Sequence, residues 1–102
     1  MKIIDAHLHL FSEDSAEEMA RQVGHHNSED HLREVYGELH IVHGVVMGNH
    51  SLELRRHDYP TDLFHYCVGL DSSLLEDGSR VIPDLPDRVE AHLRRASCCG
   101  VN

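Results

Sequence analysis

Lys2-Ile3-Ile4-Asp5-Ala6-His7-Leu8-His9-Leu10-Phe11 opens the chain and decides how the rest is read. Asp5, His7 and His9 fall on one side of an extended segment, and Ile4, Ala6, Leu8 and Leu10 on the other. A period of two is the signature of a β-strand. The polar side is unusual in kind. It carries carboxylate and imidazole, the donors that hold divalent cations, in place of Lys, Glu and Thr.

Two helices are expected next. Ser15 with Glu18 makes a capping-box pattern, and Ala16, Met19, Ala20 and Val23 form an apolar stripe that Gly24 stops. Ser28 caps the second helix, whose stripe is Leu32, Val35, Tyr36 and Leu39. Ile41, Val42, Val45, Val46 and Met47 then form a nearly continuous apolar run ending at Gly48-Asn49-His50. Such a run suits a strand buried on both faces. Residues 49 to 62 are polar, with a helical turn or two around Ser51 to Arg56, and Leu63 to Leu70 reads as a third strand closed by Asp71-Ser72-Ser73. In the last helix Pro86 suits the first position, Val89, Leu93 and Ala96 lie one turn apart, and Gly100 ends it. Val101-Asn102 reads as the start of a fourth strand. Strands alternating with helices predict an α/β fold with a parallel sheet.

Composition narrows the function. The 102 residues allow one modest core, and 40% hydrophobic with 26% charged residues is a globular balance. With 9 Lys+Arg against 18 Asp+Glu, a formal charge of −9 and no basic cluster, the chain is a poor match to a phosphate backbone. No nucleic-acid partner is expected. Ile3 to Phe11 is too short and polar to span a membrane, and its Asp5, His7 and His9 do not suit a signal-peptide core. Three cysteines, none in a C-x-x-C arrangement, indicate a reduced, cytoplasmic protein without disulfides. No glycine-rich phosphate loop is present, so nucleotide binding has no support.

The excess is histidine, 11 in the chain. His7 and His9, two apart on a strand, project the same way and can reach one cation. About one such pair is expected by chance at this histidine content, and two solvated imidazoles are the plain alternative. Position argues for the cation, because α/β folds place their sites where strands end. Asp5 can orient one of these imidazoles or cap backbone groups. Asn49, His50 and Asp71 follow strands two and three, and read either as substrate-facing groups or as ordinary loop polarity. His40 and His43, three apart on a strand, point to opposite faces. His25-His26 reads as a solvated link, and His31, His57, His65 and His92 suggest no role. Cys67 reads as a small core residue, and Cys98-Cys99 as thiols at a helix end without a partner pair.

Met1 to Phe11 resembles the opening strand of the amidohydrolase superfamily, in its amidohydrolase-related branch. Ile41 to Asn49, His65 to Asp71 and Leu85 to Val101 are similar to that branch's second strand, third strand and third helix. The resemblance implies that residues 1–102 form the N-terminal segment of a partial TIM-type (β/α) barrel, about three β/α units. It implies a divalent metal, zinc first, held by His7 and His9, and hydrolysis of a C–N or C–O bond in a small-molecule substrate. Some members of the branch are metal-dependent decarboxylases instead. The family's later histidines and its proton-shuttling aspartate fall outside this chain, because a full barrel takes about 250 residues. The partner implied is therefore the missing barrel half, or a second copy in a homo-oligomer. A reading of another class is a self-associating, catalytically incomplete fragment that binds metal incidentally.

Overall fold

The computed structural model describes residues 1–10, 14–48, 50–71, 74–75 and 78–102. Among these, β1 (Ile3–Leu8), β2 (Ile41–Val46), β3 (Phe64–Val68) and β4 (Cys98–Val101) form one sheet in the order β1-β2-β3-β4. Every pairing is parallel. Each strand therefore lies beside the next in sequence, and the sheet stays open. Helices α1 (Asp14–Gln22) and α2 (Glu29–Leu39) occupy the first crossover, a 3-10 turn at Leu54–His57 the second, and α3 (Leu85–Leu93) the third. No helix among the described residues is long and apolar enough to cross a membrane.

Local chemistry explains most boundaries. Ser28 Oγ accepts the His31 N–H at 3.2 Å, and Glu29 and Asp30 place negative charge in the first turn of α2. The helix stops at His40, which takes the left-handed conformation (φ 60°) more often given to glycine, and β2 begins at once. α1 starts at Asp14, ahead of the cap expected at Ser15, whose side chain lies outside the described set. Its expected stripe is not buried, with Met19 67% and Val23 68% exposed. α3 ends at Leu93 rather than Gly100, and β4 correspondingly starts at Cys98. Arg95 fixes that earlier turn. Its guanidinium donates to Leu54 O at 2.8 Å, pairs with Asp58 and lies 5.7 Å over the Tyr66 ring.

Burial is on one face of the sheet. Val46, Phe64, Tyr66 and Val68 are each at most 1% exposed, and Tyr36 of α2 packs among them. Each such side chain contributes about 1.5–3 kcal/mol on leaving water. β2 was expected to be buried on both faces. Gly44 and Val46 are buried, whereas His43 and Val45 are only half-buried, because α2 and α3 both pack on the Phe64 and Tyr66 side.

Two histidines without an assigned role lie at the centre of this core. His92 is fully buried, and its Nε2 donates to Leu52 O at 2.9 Å. A carbonyl only accepts, so Nδ1 carries the lone pair and accepts the Tyr66 hydroxyl at 2.7 Å. The His57 ring stacks on Tyr66 at 4.7 Å and donates Nε2–H to Ser51 O at 2.9 Å. Its buried Nδ1 has no partner among the described residues. Burial, aided by the nearby His92 and Arg95, holds the His57 pKa below the ordinary imidazole value despite the Ser51 carbonyl.

The unfolded chain then binds this proton more readily than the folded one. Between the lowered folded pKa and about 6.5, stability rises with pH and is lost on acidification. Thermal melts of the wild type should fall as pH drops below about 6.5, and His57→Phe should flatten that slope. An unchanged slope in the variant would assign the effect to another group.

Candidate functional site

The first strand does not keep the phase its sequence suggests. Asp5 pairs with Gly44 and Leu8 with Val46, three steps along β1 against two along β2. This bulge turns the strand over between them. A Cβ on Gly44 would lie 2.7 Å from Leu8 Cδ2 and 2.8 Å from Tyr36 Oη, which puts that pairing on the helix-packed face. The shared face expected for Asp5, His7 and His9 is therefore corrected. Asp5 faces α2, while His7 and His9 are exposed on the other side. Of its two expected roles, Asp5 performs the capping one. Its Oδ1 accepts the His7 backbone N–H at 3.2 Å, and its Oδ2 accepts the Tyr36 hydroxyl at 2.8 Å. Burial first, then Asp5, pushes the Tyr36 phenol well above its usual pKa.

His7 and His9 converge. Their rings lie edge to face with centroids 5.2 Å apart, and their Nε2 atoms are separated by 3.3 Å. Two nitrogens bound to one tetrahedral zinc at about 2.0–2.1 Å stand about 3.3–3.4 Å apart. The spacing fits two ligands of one cation. Among the described residues no group of three His, Cys, Asp or Glu side chains gathers to complete such a site.

A second histidine pair differs in this respect. His43 Nε2 and His65 Nδ1, on β2 and β3, are 2.6 Å apart. That is too close for two ligands of a tetrahedral cation and fits an N–H donated from one ring to the other. Spacing along the chain could not reveal this pair, because it depends on the register of Val45 against His65. His40, weighed against His43 in sequence, ends α2 and is not in the strand.

His50 and Asp71 also meet, with Nδ1 3.0 Å from Oδ2, beyond the carboxyl ends of β2 and β3. The cause lies two residues earlier in each loop. A Cβ on Gly48 would stand 2.4 Å from both Cα and N of Gly69, so the two loops leave the sheet backbone against backbone. His50 takes a left-handed conformation (φ 61°) on the way. Asn49 lies outside the described residues. Cys67 is half-buried on the face opposite Tyr66 and is not a core residue, because β3 buries only one side. Cys98 and Cys99 belong to a strand rather than to a helix end.

Compared with protein-family models, curated proteins and solved structures, the chain matches none.

The glycine contact can be tested against a control. Gly48→Ala forces a side chain into backbone that cannot rotate aside, and should cost about 1–3 kcal/mol while separating His50 from Asp71. Gly37→Ala, in the interior of α2 with nothing within 4 Å of the new Cβ, should instead stabilise by about 0.5–1 kcal/mol. Denaturant melts of the two variants give the comparison, and equal effects would refute the close-approach account.

Proposed function

We propose that this chain is the opening segment of a metal-dependent hydrolase of the amidohydrolase type, with His7 and His9 as two ligands of a divalent cation, zinc first. The 3.3 Å separation of their Nε2 atoms carries the reading. The sheet order supports the partial-barrel part of it. Parallel strands laid down in sequence, with α2 and α3 on one face, are how a (β/α) barrel begins.

Such a cation, when bound, activates water near neutral pH and polarises the carbonyl of a C–N or C–O substrate. The chain's own residues position. Both imidazoles must be neutral to ligate, and each presents Nε2. Asp5 holds the His7 backbone and so sets where that imidazole starts. His50 and Asp71 present a hydrogen-bonded pair at the strand ends, where a small polar substrate would approach.

A second reading has its own support. Ile4 is 62% exposed, Val42 45% and Val101 46%, and β1 and β4 are open sheet edges. A self-associating segment that binds metal only incidentally would show the same apolar surface.

Zinc titration followed by calorimetry tests the first reading. The wild type should bind zinc, the His7→Ala, His9→Ala double variant should lose that binding, and a His25→Ala, His26→Ala control should retain it. Binding indifferent to His7 and His9 overturns the hydrolase assignment. Sedimentation at micromolar concentration reads the other proposal, which a compact monomer would end.

A further inference from the structure

Two thiols meet on the sheet face opposite the helices. Tyr66 pairs with Cys98 and Cys67 with Gly100, so β4 advances two residues where β3 advances one. The extra residue is Cys99. This second bulge brings its Sγ to 3.7 Å from Cys67 Sγ, across neighbouring strands. Its sequence neighbour is turned away, because Cys98 packs against the core cluster and its thiol reaches Gly100 O at 3.5 Å. Cys99 is exposed and Cys67 half-buried, and neither is in a disulfide.

We infer that Cys67 and Cys99 form a redox-active dithiol, oxidised by low-molecular-weight disulfides to an intramolecular bond that staples β3 to β4. The exposed Cys99 releases its proton to water and its thiolate attacks one sulfur of the small disulfide RSSR. That S–S bond breaks, RS⁻ leaves and is protonated, and Cys99 carries the mixed disulfide. Cys67 then gives up its proton, its thiolate attacks Cys99 Sγ, the mixed S–S bond breaks, and the second RS⁻ leaves and takes up a proton. Two protein thiols are oxidised, one RSSR is reduced to two RSH, and no other reactant is needed.

The order of attack follows from the surroundings. Burial first, and then the neighbouring Cys99, push the Cys67 thiol up to about 11, so few Cys67 thiolates face the solvent. In the second step the target is already in contact, and proximity offsets that scarcity. The pairing is independent of any metal at His7 and His9. In a reducing compartment such a disulfide is transient and sensing.

The test uses the full, reduced chain incubated with glutathione disulfide, alkylated and mapped by peptide mass spectrometry. A Cys67–Cys99 linked peptide is expected in the wild type and in Cys98→Ser, reversed by excess dithiothreitol. Cys67→Ser should stop at a glutathione adduct on Cys99. Circular dichroism before oxidation confirms that both variants are folded. A Cys98–Cys99 link, a glutathione adduct that persists in the wild type, or an inert Cys99 would each overturn the inference.

Discussion

The buried hydroxyl of Tyr66 fastens α3 and the loop at Leu52 to the inner strand β3. It donates to His92 of α3, whose opposite nitrogen holds the Leu52 carbonyl, so one line of hydrogen bonds runs from strand to helix to loop. His57 lies flat on the ring and Arg95 covers it at 5.7 Å. A hydrogen bond of this kind contributes only about 1 kcal/mol net, yet leaving either end unpaired inside the core costs about 1–3 kcal/mol. The arrangement therefore acts as a specificity device. Other packings of the same apolar residues would strand polar atoms out of reach of water.

Bulges do the second half of the work. Every candidate chemical group on β1 and β4 owes its direction to one extra residue. In β1 the added residue sends Asp5 inward to Tyr36 and leaves His7 outward; in β4 it swings Cys99 toward Cys67. A strict two-residue period would have given both strands different surfaces. The sheet thus separates a packed side, rich in rings, from a side carrying His7, His9, Cys67 and Cys99.

Much of this was legible in the residues. Alternation and apolar runs located β1, β2 and β3, Ser28 and Pro86 marked helix starts, and the parallel α/β class followed from their order. Bulges were not legible, because they depend on register against a neighbouring strand. The wrong face for Asp5 follows from that, whereas Cys67 misses the core because β3 buries only one side. His57 and His92 were passed over for another reason. Histidine usually signals chemistry or solvent, but with two Phe, three Tyr and no Trp the chain has few rings to build a core, and imidazoles make up the deficit. The aromatic count was the available signal. His43 with His65 and His50 with Asp71 required knowledge of which strands are neighbours, which no local pattern carries.

The strand order has a consequence for how the chain comes into being. Each strand pairs with the one made just before it, so a ribosome delivering the chain from its amino end always presents a new strand to a partner already synthesised. Among the described strands none waits for a distant segment, since each closes onto the strand before it. The growing sheet offers one advancing edge at a time, and the latest crossover helix comes to rest beside it. Assembly can follow the direction of translation, strand by strand.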